Sequence, residues 1–229
     1  MLRMNGALDA LTHSSRLPMS GKPPVAALGC RAHTGWAALV VVAGRFARPE
    51  ILHRSRAELA DPSGRVRKNA YQAARGLEPT AAANLVKAAE RIAAAQAAVA
   101  LEQTLQEVDT VVRSCAVVVG AFPAGARLES ILASHALAHA AEGRLYQRAL
   151  LQGAESLGLD AVAVPKRSIW EEGESALGVA PDELRHRIDD LRREIGPPWA
   201  EDQKLAALAA WIALAQSYDY SRARPRSDA

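Results

Sequence analysis

One Ala-rich segment carries three residues with the spacing of a helix-borne site. His135, His139 and Glu142 stand at positions i, i+4 and i+7, which places their side chains on one stripe of an α-helix. Zinc sites on helices use a histidine pair four residues apart, and a carboxylate one turn further can be a third ligand or orient an imidazole. The segment is therefore a candidate divalent-metal site.

The same segment has two other interpretations. The histidines can fill half-buried positions, hydrogen-bonded to the backbone or to Ser134 and Glu142, with no functional role. They can also belong to a metal-free acid–base or anion-binding site. No metalloprotease motif accompanies the pair, so the sequence leaves all three alternatives open.

Two residues from distant segments are candidates to join this site. His33 lies in a predicted turn after the first strand, and Asp202 lies near the start of the last predicted helix. In the catalytic interpretation, His33 or His135 transfers a proton and Glu142 orients the imidazole. Asp202 completes this catalytic set.

Four further residues are candidate ligand contacts. Lys166 follows a predicted strand, at the end of the sheet where open α/β proteins bind ligands, and is suited to a phosphate. The full set of candidate ligand-binding residues is Arg31, Thr34, Lys166 and Lys204. Trp36 lies in an apolar strand and is expected in the core. Cys30 and Cys115 also fall in predicted strands, where thiols act as small apolar residues.

Turn residues and apolar periodicity divide the chain into alternating strands and helices. β-branched and apolar runs predict five strands, at 25–30, 36–44, 51–59, 111–122 and 160–165. Helical spacing and Pro or Gly boundaries predict helices at 78–108, 128–157, 181–195 and 199–215. The polar stretch 60–76 is predicted to be a loop.

This order of elements predicts one three-layer α/β domain. Tight turns join the first three strands, whereas helices separate the later ones, so the later strands are expected to run parallel in the same sheet. We therefore expect a mixed five-stranded sheet with helices on both faces. That is the element order of the ribonuclease H-like fold.

Composition and charge limit the classes of protein that remain. The chain has 229 residues, of which 49% are hydrophobic and 23% charged, values typical of a globular domain. Its net charge of +3 lies in the ends, because residues 25–216 hold equal numbers of basic and acidic side chains. Residues 1–24 are interpreted as a flexible leader, 25–216 as the domain and 217–229 as a flexible tail. With two cysteines, no signal peptide and no bilayer-length apolar run, we expect a cytoplasmic protein without membrane contact.

Short motifs in the first two strands resemble a known family. The segments ALGC and HTGWAALVV are similar to the opening of the Holliday-junction resolvases, a branch of the ribonuclease H-like superfamily. The resemblance implies a nuclease with several carboxylates that hold two divalent metals across the scissile phosphate. Here the expected acidic position in the first strand is Cys30 or Arg31, and the fourth strand reads VVVG. The last helix offers Glu201 and Asp202, with Lys204 near the second expected acid, so a two-metal site is not expected.

Two functional hypotheses follow. The first is a ribonuclease H-like protein that binds a nucleic acid, nucleotide or other phosphate-containing ligand through a degenerate or histidine-based site, with a divalent metal as candidate cofactor. The second is a non-enzymatic scaffold or partner-binding domain that uses the fold as a platform. A fold can carry either function, so the site must decide between them. The oligomeric state has no signal in the sequence.

Overall fold

Five strands and eight α-helices make up the described part of the chain. A computed structural model describes residues 25–45 and 48–223, so the interpreted leader at 1–24 lies outside the described residues. The strands are β1 Val25–His33, β2 Trp36–Arg45, β3 Arg48–Glu58, β4 Val111–Val119 and β5 Asp160–Pro165. The helices are α1 Ala70–Ala74, α2 Pro79–Gln106, α3 Leu128–Ala133, α4 His135–Ser156, α5 Ile169–Leu177, α6 Pro181–Asp190, α7 Arg192–Ile195 and α8 Glu201–Ala223.

The strands form one mixed sheet in the order β3-β2-β1-β4-β5. β1, β2 and β3 are antiparallel neighbours, as expected for strands joined by tight turns, whereas β4 and β5 run parallel to β1. The predicted five-stranded mixed sheet is confirmed. The carboxyl ends of β1, β4 and β5 consequently lie at one end of the sheet.

Alternation along β1 assigns each helix to a face of the sheet. Even-numbered β1 residues such as Leu28 and Cys30 belong to a core formed with α1, α2 and α4. Odd-numbered residues such as Ala27 face α8, which is buried along most of its length. Gly29 brings β1 and α8 together, since a Cβ at this position would lie 1.8 Å from the carbonyl oxygen of Ala206.

Several elements differ from the prediction: α1 lies inside the predicted loop 60–76, and the helix predicted at 181–195 is divided into α6 and α7. The helix predicted at 128–157 is interrupted at Ser134, whose extended backbone ends α3 and whose hydroxyl accepts the Leu137 N–H at the start of α4. α5 was not predicted. α8 continues to Ala223, past the expected tail boundary at 216.

No helix within 25–45 and 48–223 is long and apolar enough to cross a lipid bilayer.

Candidate functional site

An imidazole and a carboxylate meet where β1 ends against the start of α8. His33 is the last residue of β1, and its odd position directs the side chain toward α8. Its Nε2 lies 2.7 Å from Oδ1 of Asp202, in the first turn of α8. Two of the candidate catalytic residues are thus in direct contact, across 169 positions of sequence.

Arg31 is the second β1 side chain beside Asp202. Its Nε lies 3.9 Å from the same Oδ1, and the side chain is only 14% exposed. One Nη donates to the backbone carbonyl of Ala32, whereas Nε is buried without a hydrogen-bond partner. The guanidinium therefore keeps donor capacity that the described residues do not use.

An aromatic and a second guanidinium extend this contact onto β2 and β3. The rings of His33 and Trp36 stack with centroids 4.5 Å apart and an interplanar angle of 10°. The Arg56 guanidinium lies 3.9 Å from the Trp36 ring centroid, in a cation–π arrangement. Strand pairing explains this geometry, because His33 is registered with Trp36, and Arg56 with Ala38 on the same face.

Two lysines near the start of α8 have carboxylate partners. Lys166, just after β5, lies 3.0 Å from Glu201, the neighbour of Asp202. Lys204 lies 2.7 Å from Asp189 of α6, so this predicted phosphate contact is paired away from Asp202. We name the connected set the β1–α8 cluster; its members are Arg31, His33, Trp36, Arg56, Lys166, Glu201 and Asp202.

A basic loop lies over the β1–β2 turn beside this cluster. The backbone N–H groups of Leu59 and Ala60 both donate to the carbonyl of Gly35, and the Lys68 side chain packs against the same glycine. Thr34 lies in this turn and is half-buried. Among the described residues, three basic side chains of this loop and of the segment after β5 have no carboxylate within 4 Å; these are Arg67, Lys68 and Arg167. Arg65 of the same loop interacts with Asp61 and lowers the pKa of that carboxyl group.

The donor set of the β1–α8 cluster does not fit the metal pair that the resemblance implies. A guanidinium cannot ligate a cation, and Arg31 stands beside the one β1-facing carboxylate, Asp202. Within the described part of the chain, no three His, Cys, Asp or Glu side chains come close enough together to hold a metal ion. The cluster is suited to an anion rather than to divalent cations.

The two histidines of the predicted metal set, His135 and His139, lie in a second cluster, where α1 packs on α3 and α4. Arg75 approaches His135 Nδ1 at 3.1 Å and donates to the Leu132 carbonyl at 3.0 Å. Gln72 donates its backbone N–H to Glu142 Oε1 at 2.9 Å and its side-chain amide to the His135 carbonyl at 3.3 Å. We name this the α1–α4 cluster; its members are Gln72, Arg75, His135, His139 and Glu142.

Glu142 has a structural role that its environment explains. The residue is 2% exposed, and burial raises the pKa of its carboxyl group against the opposing effects of the Gln72 N–H and of His139 and His135. Its oxygen satisfies an N–H in the first turn of α1, for which Asn69 supplies no side-chain cap. Glu142 therefore fixes α1 to α4.

The two clusters, which were expected to form one site, lie on opposite faces of the sheet. His33 and Asp202 lie on the α8 face of the sheet, whereas His135, His139 and Glu142 belong to α4 on the opposite face. The metal set expected from the i, i+4, i+7 spacing is not assembled, because Glu142 turns inward to Gln72 and His135 faces Arg75. Helical spacing correctly predicts that the three residues share one stripe of a helix. It does not predict that Gln72 and Arg75 contact Glu142 and His135.

Three members of the clusters were missed as candidates. Arg56 lies two residues after Arg54 on one side of β3, a signal that is present in the sequence but does not show that this side faces Trp36. A bulge in the pairing with β2 places Leu52 on the opposite side, with the α4 core, although strict alternation predicts it beside Arg54. Arg75 and Gln72 lie in a segment predicted as loop, and only the short helix α1 gives their side chains a fixed direction.

Structural comparison supports the fold alone. No protein-family model and no curated protein matches this sequence. RuvC of Thermus thermophilus matches with a TM-score of 0.50 and 15% identity, over 85% of this chain and 96% of that chain. RuvC of T. thermophilus in complex with Holliday junction substrate matches with a TM-score of 0.49 and 14% identity, over the same shares. The chain has an α/β ribonuclease H-like fold, as its order of elements predicted.

Proposed function

We propose that the protein binds the phosphodiester backbone of a nucleic acid at the β1–α8 cluster without two-metal hydrolysis. The observation that carries this proposal is Arg31, near the end of β1: its side chain is largely buried, its Nε has no hydrogen-bond partner, and its ion pair with Asp202 is long, at 3.9 Å. Guanidinium groups suit phosphate oxygens, because they present several donors in a fixed plane. The similar fold of RuvC, whose structure is known in complex with Holliday junction substrate, is compatible with a nucleic-acid ligand.

Charge around the cluster supports a polyanion rather than a small ligand. Lys68 packs against Gly35 in the β1–β2 turn, Arg67 precedes it in the same loop, and Arg167 follows Lys166 after β5. None of these three has a carboxylate within 4 Å among the described residues, so their charges are available to phosphates. Contacts of this kind fix a nucleic acid in place without reading its sequence.

The experiment measures binding and cleavage separately. Fluorescence anisotropy with a labelled duplex and a labelled four-way junction, in EDTA and then in Mg²⁺, is expected to give binding in both buffers and intact nucleic acid on denaturing gels. Arg31→Ala should weaken binding about tenfold and reduce the slope of log affinity against log salt by about one. Arg113→Ala is the matched control, since this exposed arginine lies near the opposite end of the sheet.

Two results would contradict the proposal. Cleavage that depends on Mg²⁺ would mean that metals bind despite Arg31. Equal affinities for wild-type protein and Arg31→Ala, with the Arg113→Ala control also unchanged, would mean that the nucleic acid does not contact this cluster.

We also propose a cytoplasmic location. It is supported by Cys30 and Cys115, both buried free thiols with Sγ atoms 3.6 Å apart. Their hydrogen bond and burial raise the pKa of the Cys30 thiol, which keeps it protonated as a small core residue. Thiol alkylation of denatured protein taken directly from cells should modify both cysteines without prior reduction.

A further inference from the structure

A cavity of about 260 Å³ opens on the α4 side of the sheet, where the loop after β4 passes over α4. Its floor is apolar and includes Ile131, Ala141 and Leu145. Phe122 and Pro123 of the loop form one wall, and the ring of Tyr71 from α1 forms part of another. The cavity lies outside both clusters described above.

Charged groups of both signs line this cavity. Arg144 and Arg148 lie one turn apart on α4, and Glu90 reaches it from α2. Neither arginine has a carboxylate within 4 Å among the residues that the structure describes. The Arg144 guanidinium lies 4.9 Å from the Phe122 ring centroid.

Tyr71 shows that these charges converge. Burial, followed by the charge and hydrogen bond of Glu90, raises the pKa of its hydroxyl to about 12, and Arg148 and Arg144 oppose this shift. The phenol is therefore neutral at physiological pH and can donate a hydrogen bond. One hydroxyl thus lies within the influence of the carboxylate and of both guanidinium groups.

We propose that this cavity binds a guanine mononucleotide unit. The base lies on the apolar floor beside Phe122, its N1–H and amino group donate to the Glu90 carboxylate, and its phosphate is held by Arg144 and Arg148. This cavity shares no residue with the β1–α8 cluster, so the two proposals are independent of each other.

The combination of groups selects this chemistry over simpler ligands. An inorganic anion would gain from the arginines but would make no use of the apolar floor or of the acceptor positions that Glu90 keeps beyond its hydrogen bond with Tyr71. Guanine presents two adjacent donors that match the two oxygens of a carboxylate, whereas adenine presents an amino donor beside a ring acceptor that the carboxylate would oppose. Aromatic rings and guanidinium planes are also the surfaces on which nucleobases stack.

Calorimetric titration of the full chain with GMP, IMP, AMP and inorganic phosphate tests the proposal. We expect saturable binding of one GMP, AMP weaker by about tenfold or more, IMP in between because it lacks the amino group, and phosphate weaker than all three nucleotides because it contacts only the arginines. Arg148→Ala should weaken GMP binding about tenfold. Arg91→Ala, which removes the same charge from α2 beside Glu90 but outside the cavity, should leave GMP binding unchanged.

Two further variants make the assignment specific. Glu90→Gln should reduce the preference for GMP over AMP, and Phe122→Ala should weaken both nucleotides by about fivefold or more through lost stacking. Thermal melts of each variant establish that it is folded. A single-stranded oligonucleotide with one dG, compared with the same strand carrying dA, distinguishes an unpaired nucleotide of a strand from free GMP as the source of the ligand.

The proposal is overturned if GMP gives no saturable binding, if AMP binds as tightly as GMP, or if Arg91→Ala and Arg148→Ala weaken binding equally. It fails independently of the phosphodiester proposal. Arg31→Ala should leave GMP affinity unchanged, and Arg148→Ala should leave duplex affinity unchanged.

Discussion

His33 Nε2 and Asp202 Oδ1 lie 2.7 Å apart, and the same carboxylate oxygen lies 3.9 Å from Arg31 Nε. Asp202 is thus the one carboxylate shared by an imidazole and a guanidinium at the end of β1. In a metal-dependent nuclease a carboxylate at such a position would hold a cation. Here the charge of Asp202 is opposed by the Arg31 guanidinium instead. Removal of that negative charge should therefore strengthen, not weaken, the binding of a polyanion.

Asp202→Asn should strengthen nucleic-acid binding. The substitution removes a negative charge from beside the proposed phosphate contact, and Coulomb repulsion over several ångströms corresponds to an affinity gain of about threefold to tenfold at low salt. Anisotropy titrations at low and high salt measure this gain, which should shrink as salt increases. Asp189→Asn, at an exposed carboxylate paired with Lys204, is the control. A loss of binding in Asp202→Asn would instead indicate that the carboxylate holds a cation or positions His33.

Gly29→Ala should separate β1 from α8. The added Cβ would lie 1.8 Å from the Ala206 carbonyl oxygen, so the helix must shift, at a cost of about 1–3 kcal/mol or more. Chemical denaturation should show this loss, and nucleic-acid binding should weaken with it, since Asp202 moves relative to Arg31. Gly143→Ala is the matched control: its nearest neighbour would be 3.9 Å away, and alanine within α4 should stabilise by about 0.5–1 kcal/mol. Equal stabilities for the two variants would contradict the close approach.

The sheet could be predicted from the sequence because its signals are local. Apolar runs and turn residues define each strand, and helices between strands require parallel pairing. The break at Ser134 is harder to predict. A serine is tolerated inside an Ala-rich helix, so its presence does not show that its backbone is extended and that it caps α4. α5 was missed for a similar reason, since its nine residues provide few helical periods.

The candidate site could be predicted only in part. His33 and Asp202 were both named from their positions at element ends, which is where their contact occurs. Their assignment to one site with His135 failed because no sequence pattern states on which face of the sheet a helix packs. The stripe of His135, His139 and Glu142 was real, yet its partners come from α1, a helix of five residues inside a segment predicted to be a loop.

Arg54→Ala should destabilise the fold more than other arginine substitutions on β3. The Arg54 guanidinium donates to four consecutive carbonyls ahead of α8, those of Ile195, Gly196, Pro197 and Pro198. These contacts hold the segment between α7 and α8 against the sheet, and their loss leaves several acceptors without a partner. We expect a cost of about 2 kcal/mol or more in urea denaturation.

Arg48→Ala is the control for this prediction. Arg48 also lies on β3 and pairs with Glu194 at 2.8 Å, but its side chain is 81% exposed, so its loss should cost about 1 kcal/mol or less. A similar cost for both variants would mean that the four carbonyl contacts of Arg54 add nothing beyond an exposed ion pair.

Glu142→Gln should change how stability depends on pH. Burial raises the pKa of Glu142 in the folded protein above its ordinary value of 4.5, so the folded chain binds this proton more tightly than the unfolded chain. The stabilising contribution is fully present below that ordinary value and is lost as pH rises through the raised pKa. Glutamine keeps an oxygen for the Gln72 N–H and has no charge to bury. The melting temperature of the Glu142→Gln variant should therefore exceed that of the wild type near neutral pH, and the difference between the two proteins should diminish at about pH 4.

The controls for this prediction separate charge from hydrogen bonding. Glu155→Gln removes an exposed carboxylate from the same helix and should leave the pH dependence of the melting temperature unchanged. Glu142→Ala removes the acceptor as well as the charge, leaves the Gln72 N–H without its partner, and should cost about 1–3 kcal/mol. If Glu142→Gln and Glu142→Ala melted alike at every pH, the contact between Glu142 and α1 would not stabilise the fold.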